Sequence, residues 1–594
     1  MSNNPNKLAR FWQELKRRRV IHVITVYASA AFVLIELVNN LTEPLNLPPG
    51  LATVMIIVLA VGFPLAIVLS WIYDLTGEGL ERTKPIEELT EEHAVRIPNA
   101  WKIATYVSFV VIIGLVTINI FTRTKGLRPG DIQAIAILPF DNFTGDDQIG
   151  WVADAMHAML IGDMGKKMSS QRVLGKTTST AYKKSNMTAT QIADRDKVDA
   201  LVEASLTCYG DMICIQFTGY TTYPEEKQIF VEEYTIDKSQ ILNLNNQIIL
   251  DISNKLKIRL TSRDEAYLAE SRTINPRAYD AYLSGRYLLD QFNPQAFQAA
   301  IDSFQTAIEL EPEWSDPYAG IASAGARMRQ MGIASQSDLI MMYSNMDKAL
   351  ELDPGSAEAH AVKSGVAAWT EFDWKAAEEE CLIAIELNPS RAQSHVFYAH
   401  ILSILRRTDE ALHQGKVAIE LDPENPMTLG LYVVVLLQAE KCQEALYYTE
   451  KALSIAPGHP FASSQLWPVY ECLGEWERVF EIWKQVNIDH WEEYGVTELF
   501  ERTFREHGWI AVQKEAIRVN EEVWKKAGLM HPYSQAGRYV TVGEYDRALD
   551  IYEEIYENTR NPNLPYLSCK PVFYKMNGNP RYLALLEKMN LPVE

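Results

Sequence analysis

Two stretches of this 594-residue chain, AEEECLIAIELNP at residues 377–389 and ALHQGKVAIELDP at residues 411–423, repeat one pattern at a spacing of 34 residues. Phrases of this kind end at five prolines, which lie 42, 35, 34 and 34 residues apart: Pro312, Pro354, Pro389, Pro423 and Pro457. Five residues before each proline stands an alanine: Ala307, Ala349, Ala384, Ala418 and Ala452. Because small residues let helices pack closely and proline ends a helix, the pattern predicts stacked helical hairpins.

The spacing and the alanines resemble the tetratricopeptide repeat, in five units. Extending the 34-residue period beyond Pro457 predicts a sixth repeat, with Val479 and Val486 in the alanine positions. The longer step of 42 residues between Pro312 and Pro354 is explained by an insertion at residues 333–339. GEYDRALDIYEEIY, with Ala548 and Tyr552, resembles a later repeat, whereas residues 490–530 have no secure register. The end, NPRYLALLEKMNLP, resembles a capping helix. The resemblance implies an all-α superhelix over residues 275–594.

In this family the first helix of each repeat lines a concave groove that binds protein segments. Counting from the prolines predicts a partner-binding groove formed by Val362, Val366, Trp369, Thr370, Gln393, Val396, His400, Ser403, Met427, Val434, Leu437 and Gln438. The set contains no cluster of Lys or Arg, which disfavours a clamp for acidic peptide termini. The alternative for each residue is packing against the adjoining repeat.

Three apolar runs near the N-terminus, residues 20–38, 51–73 and 103–121, are long enough to cross a bilayer and predict a membrane domain over residues 20–122. The basic residues of segment 1–19 predict that this segment is cytoplasmic. The expected topology is therefore multi-pass, with the later domains on the side away from the cytoplasm. Residues 63–80, FPLAIVLSWIYDLTGEGL, resemble the membrane module of bacterial proteins that carry helical repeats, and this resemblance implies an inner-membrane location with those domains in the periplasm. The alternative is that the first run, which contains His22 and Glu36, is only interfacial.

Residues 131–260 predict a small α/β domain, beginning with a buried strand at residues 132–140 and a polar turn. The motif Ile137-Leu138-Pro139-Phe140-Asp141-Asn142 and the later VEASLTCYGDMICIQFTGY resemble the amino-terminal domain of TolB and the periplasmic modules of CadC-type regulators. Cys208 and Cys214 flank the predicted hairpin turn, so the sequence predicts a disulfide between them, with two small core residues as the alternative.

The sequence contains no recognisable catalytic, cofactor or metal site. Gly175-Lys176-Thr177 lacks the earlier glycine of a phosphate-binding loop, because Ser170 stands there. The histidines show no metal-ligand spacing, and no cofactor is predicted. A balance of 56 Lys+Arg against 77 Asp+Glu, a net charge of −21, disfavours direct nucleic-acid binding. Residues 301–500 carry most of that charge, with 13 basic and 32 acidic side chains.

The fold class predicted from the sequence is a multi-domain chain with N-terminal transmembrane helices, a small α/β domain and a C-terminal all-α repeat superhelix. The predicted function is a non-catalytic, membrane-anchored scaffold that binds protein or peptide partners through its repeat groove in the periplasm, with no small-molecule substrate. Two alternatives stay open. One is a signal-transduction receptor or co-regulator acting through the transmembrane segments, and the other is an unrecognised enzyme in the α/β module.

Overall fold

The computed structural model describes Trp12, Leu15 and residues 20–42, 51–76, 79–82, 131–147, 150–185, 187–222, 226–269, 273–291, 293–524, 532–559 and 561–593. The chain forms two compact units, Met1–Gly126 and Leu127–Glu594. Each is described by itself below.

The first unit contains two helices, α1 (Val20–Thr42) and α2 (Leu51–Ile72), followed by the antiparallel strands β1 (Tyr73–Thr76) and β2 (Gly79–Arg82). The two helices pack together, and the Tyr27 hydroxyl of α1 donates a hydrogen bond to the Leu59 carbonyl of α2 at 2.8 Å. The Tyr27 ring also lies 5.6 Å from the ring of Phe63.

Among the residues that the structure describes, no helix has both the length and the continuous apolarity needed to cross a bilayer. The prediction of N-terminal transmembrane helices at residues 20–38 and 51–73 is therefore wrong, and so is the multi-pass inner-membrane location inferred from it. In α1 the Ser29 hydroxyl donates to the Thr25 carbonyl, and α2 contains Pro64. The run at residues 103–121 and nearly all of segment 1–19 lie outside the described residues.

The second unit begins with an α/β module whose strands are β3 (Ala134–Ile137), β4 (Asp141–Asn142), β5 (Arg172–Val173), β6 (Ala200–Tyr209), β7 (Met212–Thr221) and β8 (Lys227–Asp237). Its sheet has the strand order β5-β3-β6-β7-β8, with β4 beside β6. The strands β3, β4 and β5 run parallel to their neighbours, and β6, β7 and β8 form an antiparallel meander. The helices are α3 (Gly150–Lys167), α4 (Lys176–Ala181), α5 (Ala189–Asp196), α6 (Ile241–Lys255) and α7 (Ser262–Ala269).

The first strand is shorter than the sequence predicts, because the chain leaves the sheet before Pro139, which cannot donate a ladder hydrogen bond. Cys208 and Cys214 face each other across the β6–β7 pair as a disulfide, with Cα atoms 4.8 Å apart. A second disulfide, which sequence reasoning missed, joins Cys442 to Cys472 with Cα atoms 5.6 Å apart. The oxidation state of Cys208 and Cys214 in the cell stays a prediction.

A helical array follows, and it consists of antiparallel hairpins of the tetratricopeptide type. Its regular helices are α8 (Pro276–Leu289), α9 (Pro294–Leu310), α10 (Ser315–Gln330), α11 (Gln336–Leu352), α12 (Ala357–Val366), α13 (Trp374–Leu387), α14 (Ala392–Ile404), α15 (Thr408–Leu421), α16 (Pro426–Gln438) and α17 (Cys442–Ile455). Each second helix ends two residues before one of the five prolines, and the five alanines that precede those prolines are fully buried. The prediction of tetratricopeptide repeats is confirmed.

The later helices are α18 (Pro460–Ser464), α19 (Leu466–Leu473), α20 (Trp476–Glu493), α21 (Thr497–Val519), α22 (Pro532–Val542), α23 (Tyr545–Asn558) and α24 (Pro580–Lys588). Val479, Ala548 and Tyr552 are fully buried, as the repeat pattern predicts. Val486 departs from the pattern, because it is 74% exposed. No proline stops α20, which runs on to Glu493.

The α/β module packs on the loops that end successive repeats. Lys166 lies 3.4 Å from the carboxylate of Asp353, the Asn388 amide donates to the Gly162 carbonyl at 3.4 Å, and Thr178 donates to Asp422. These three partners occupy the same position, directly before a proline, in three repeats. The segment Gly175-Lys176-Thr177, which superficially resembles a phosphate-binding loop, is therefore part of the contact between module and array.

The end of the chain folds back onto the middle of the array. This closing segment, residues 564–591, contains α24 and two short 3-10 turns. Its contacts with the array are Tyr566 to His400 at 2.7 Å, Ser568 to the Ile404 carbonyl at 2.7 Å, Arg406 to the Ser568 carbonyl at 2.9 Å, Trp374 to the Met589 carbonyl at 2.7 Å and Asn590 to the Phe372 carbonyl at 3.1 Å. The sequence predicts a cap, and the structure adds that this cap closes the superhelix on itself.

Candidate functional site

A cavity of about 1080 Å³ lies between the late repeats and the closing segment. Its walls come from α16, from α19 to α23 and from residues 570–575 of the closing segment. Three of the predicted groove residues, Val434, Leu437 and Gln438, line it from α16. The cavity is thus bounded by repeat helices on one side and by the returning end of the chain on the other.

The remaining predicted groove residues do not meet at one open surface. His400 is buried beneath Tyr566, and Ser403 lines a small cleft of about 170 Å³ beside Cys569. Packing between neighbouring hairpins accounts for most of the others, since Val362 and Val366 lie against Met342 and Met346, Val396 and Met427 lie against Leu431, and the ring of Trp369 lies 5.9 Å from that of Phe397. Thr370 and Gln393 are half-buried. Binding by these residues stays a prediction.

One wall of the cavity is aromatic. The rings of Trp467 and Trp509 lie 5.7 Å apart, and Trp509 lies 5.6 Å from Trp483, both in edge-to-face geometry. Tyr533 and Tyr552 form a further pair at 5.4 Å. Each edge-to-face pair contributes about 0.5–1.5 kcal/mol beyond the burial of its rings, which helps to fix the rings in the wall. This wall can bury an apolar or aromatic side chain.

Deep in the same cavity lie amide groups that have no hydrogen-bond partner within the described part of the chain. Gln438 is 8% exposed, and neither its Nε2 nor its Oε1 is bonded. Gln513, 3% exposed, likewise has an unbonded Nε2. Leaving a buried polar group unsatisfied costs about 1–3 kcal/mol, so each such group calls for an explanation. Gln438 and Gln513 bring two unbonded amide donors and one unbonded acceptor to the lining of the cavity.

Basic side chains of the cavity come from the last hairpin and the closing segment. Arg538 stands on α22 with its guanidinium 5.7 Å from the Trp483 ring centre, and burial lowers the pKa of Arg538 to about 10, so it remains cationic at neutral pH. Lys570 and Lys575 belong to the closing segment. Burial lowers the pKa of Lys570, which is partly offset by the negative charge of Glu471.

Two acidic side chains also line the cavity. Glu440 is exposed at the rim, whereas Glu471 is half-buried and accepts a hydrogen bond from Trp467. Burial raises the pKa of Glu471 despite the nearby charges of Lys570 and Lys575. Lys570 and Glu471 are thus both half-buried in the cavity wall, whereas Lys575 and Glu440 are both exposed.

Sequence reasoning missed most of this site for two reasons. Gln513 lies in the stretch without repeat register, and Lys570 comes from the closing segment, whose return to the array no periodicity signals. A usable signal existed for α22, because Ala548 occupies the position of Ala445, 103 residues earlier. The same offset carries Val434 to Gly537 and Gln438 to Thr541, and both of these residues line the cavity.

No model of a known protein family matches this sequence. A protein of Rhizobium meliloti (strain 1021) named "Putative adenylate cyclase 3" is 27% identical over 395 residues, which is 60% of this chain and 59% of that protein. The similarity therefore spans less than two thirds of that relative, and the name describes that protein. This relative contradicts the prediction that the chain is not an enzyme, and that prediction is withdrawn.

Several solved structures resemble the array at low identity. TTC0263, a tetratricopeptide repeat protein of the thermophile Thermus thermophilus, is 18% identical and covers 33% of this chain and 98% of its own, with a TM-score of 0.27. YrrB, described as a repeat protein with an unusual peptide-binding site, is 22% identical and covers 31% of this chain and 90% of its own, with a TM-score of 0.21. At these scores the similarities carry no functional inference, and the repeat assignment rests on the helix pairs themselves.

Proposed function

We propose that this protein is a protein-interaction scaffold that holds a peptide segment of a partner in the cavity between its late repeats and its closing segment. The observation that carries the proposal is that Gln438 and Gln513 line a cavity of about 1080 Å³ while their buried amides have no hydrogen-bond partner among the residues that the structure describes. Pockets for small ligands measure roughly 300–1,000 Å³, so this cavity stands at the upper limit of that range. Its size suits several residues of an extended chain.

A peptide is the ligand whose groups match the cavity walls. Each peptide unit offers one N–H donor and one C=O acceptor, and the Gln438 amide offers one of each in return. The aromatic wall formed by Trp467, Trp483 and Trp509 suits an apolar side chain of the same peptide. Backbone hydrogen bonds would thus supply affinity, and the aromatic wall would select the side chain.

In this proposal the α/β module supports the array from outside the cavity. It contacts the ends of three successive repeats through Asp353, Asn388 and Asp422, which fixes the stacking of those repeats. The resemblance of this module to the TolB amino-terminal domain rests on the motif at residues 137–142 and belongs to the proposal, because none of the relatives described above is a TolB protein.

Replacing Gln438 by Leu is expected to weaken peptide binding about tenfold, since two hydrogen bonds worth about 1 kcal/mol each are lost and part of that loss is recovered by apolar burial. The free energy of unfolding should stay level or rise slightly, because Gln438→Leu removes an unsatisfied buried amide. The ligand is a peptide selected from a random phage-displayed library on the full chain. Isothermal titration calorimetry gives the affinity and urea unfolding gives the stability.

Gln393→Leu is the matched control, because Gln393 belongs to the predicted groove but does not line the cavity. Equal losses of affinity in the two variants would count against the cavity as the binding site. A loss of affinity confined to Gln438→Leu, with stability retained, supports it.

A second candidate function is cyclase chemistry, and its only motivation is the name of the Rhizobium meliloti relative. The experiment is incubation of the purified chain with ATP and a divalent cation, followed by chromatographic measurement of cyclic AMP. Formation of cyclic AMP would establish the activity, and its absence under conditions that support the scaffold assays would remove this candidate.

A further inference from the structure

We infer that the disulfide between Cys442 and Cys472 is a redox switch of the cavity, and that its reduction by a dithiol frees α19 and weakens the binding of a peptide. Both cysteines line the cavity, Cys442 at the first residue of α17 and Cys472 near the end of α19. This inference rests on the proposed function and adds a means of regulation to the same site.

The helix that this disulfide holds is short. The first helix of the sixth repeat breaks into α18 and α19, of five and eight residues, because Pro468 cannot donate a hydrogen bond to the Ser464 carbonyl. The side chain of Gln465 does not cap the start of α19. Isolated helices of fewer than about 12–15 residues are marginal in water, so α19 depends on its contacts with the rest of the array.

Few of those contacts lie in the core. Val469 and Tyr470 are buried, and the other residues of α19 are half-buried. The disulfide ties Cys472 to the start of α17, a helix that is itself fixed by its fully buried repeat alanines. Opening the disulfide therefore removes the covalent connection between a firmly packed helix and a weakly packed one.

The position of α19 matters for the cavity, because this helix forms part of its wall. Trp467, Pro468 and Glu471 line the cavity from α19, and the Trp467 ring lies 5.7 Å from that of Trp509. A displaced α19 takes Trp467 out of the aromatic wall. A peptide must then order α19 again when it binds, and ordering of this kind lowers affinity.

The disulfide is accessible to a small reductant, since both cysteines are half-buried and border the cavity. A thiolate of the dithiol attacks one sulfur and forms a mixed disulfide, and the second thiolate of the dithiol then displaces the protein sulfur. The dithiol leaves as a cyclic disulfide, and two electrons and two protons pass to Cys442 and Cys472, which become thiols. The two free cysteines, Cys381 and Cys569, do not supply the attacking thiolate, because burial raises the pKa of each to about 12.

The other disulfide provides a matched control within the same chain. Cys208 and Cys214 are also half-buried, so the same reductant acts on them. They lie in the β6–β7 hairpin, whose strands remain paired through their backbone hydrogen bonds when the disulfide opens. Reduction at this hairpin should leave the cavity unchanged.

Two measurements on the full chain, with and without dithiothreitol, test the inference. Hydrogen–deuterium exchange followed by mass spectrometry reports on residues 460–473, where reduction should raise the exchange rate about tenfold through local opening. Fluorescence anisotropy of a labelled, library-selected peptide gives the affinity, which should fall about tenfold on reduction. Reoxidation should restore both values, which a damaged fold would not do.

Variants assign the response to one disulfide. The double variant Cys442→Ser with Cys472→Ser should show the reduced-state exchange and affinity at all times and no response to dithiothreitol. The double variant Cys208→Ser with Cys214→Ser should respond to dithiothreitol as the wild type does. Circular dichroism checks that both variants are folded.

The outcomes separate this inference from the proposed function. Unchanged affinity or unchanged exchange, once mass labelling shows free thiols at Cys442 and Cys472, would overturn the inference and leave peptide binding in place. A Cys442–Cys472 disulfide that dithiothreitol opens only when the whole chain unfolds would overturn it as well. If no library-selected peptide binds in either redox state, the proposed function fails and the inference fails with it.

Discussion

Lowering the pH from 7 to 5 should reduce the free energy of unfolding by about 2 kcal/mol for each of two buried histidines, His157 and His400. Burial lowers the pKa of each from 6.5 to about 4. Nε2–H of His157 donates to the Ile137 carbonyl, and Nε2–H of His400 donates to the Leu431 carbonyl, both at 2.9 Å. Both rings are therefore neutral in the folded chain at neutral pH.

The direction in which the free energy of unfolding changes with pH follows from the number of protons that each state binds. Between pH 6.5 and pH 4 the unfolded chain binds a proton at each histidine and the folded chain does not, so acid favours unfolding. The charges around His157 are Lys176, Lys183 and Asp154, and Lys570 acts on His400, where Nδ1 accepts from the Tyr566 hydroxyl at 2.7 Å. Acidification should therefore also loosen the closing segment from α14.

Urea unfolding of the wild type and His400→Gln at pH 7 and pH 5 measures the effect. The wild type should lose about 2 kcal/mol more than the variant over this interval. His413→Gln, at an exposed position of α15, is the control and should keep the wild-type slope. Identical pH slopes for the wild type and His400→Gln would show that His400 titrates normally in the fold.

Replacing Asp422 by Ala should lower the free energy of unfolding by about 2–4 kcal/mol and release the α/β module from the array. The buried Asp422 carboxylate accepts the Thr178 N–H at 2.9 Å, the Thr178 hydroxyl at 2.7 Å and the Asn425 amide at 2.9 Å. The substitution leaves these donors buried without an acceptor. Urea unfolding and limited proteolysis around residues 170–185 provide the measurements.

Asp353→Ala is the matched control, because Asp353 occupies the same motif position in an earlier repeat. Its side chain is 30% exposed and its ion pair with Lys166 is long, at 3.4 Å, so the loss should stay below about 1 kcal/mol. Gly175→Ala should behave like Asp422→Ala, since an added Cβ would stand 2.4 Å from Cγ of Asp422. If Asp422→Ala, Gly175→Ala and Asp353→Ala all have the same free energy of unfolding, the α/β module does not depend on the contact between Asp422 and Thr178.

The repeat array could be predicted from the sequence because its signal is local and periodic. In each repeat the alanine allows the close helix contact, and the proline five residues later ends the helix. The structure buries those alanines fully. The apolar runs at residues 20–38 and 51–73 coincide with α1 and α2, so hydropathy located these two helices. It did not establish that they cross a membrane.

The cavity depends on contacts that no local pattern encodes. Tyr566 reaches His400 across 166 positions of the chain, and this return of the closing segment forms the wall that carries Lys570. The α16 side of the site, with Val434, Leu437 and Gln438, follows from repeat register, and the same register extends to Gly537 and Thr541 of α22. The lysines of the cavity come from the closing segment, which no periodicity signals.

The central claim is that the cavity holds a peptide, and filling the cavity tests it most directly. Gly537 lies on α22 in the cavity wall, and an added Cβ would be 3.9 Å from the Tyr552 hydroxyl, an ordinary contact with open space beyond. Gly537→Trp should thus place an indole in the cavity without disturbing the core. Gly210→Trp, in the exposed β6–β7 hairpin, is the control.

The measurement is the calorimetric dissociation constant of one library-selected peptide for the wild type, Gly537→Trp and Gly210→Trp. We expect at least a tenfold weaker affinity for Gly537→Trp, with an unchanged melting temperature, and wild-type affinity for Gly210→Trp. Wild-type affinity in a folded Gly537→Trp protein would contradict it, because a peptide that binds equally well to the filled cavity binds elsewhere.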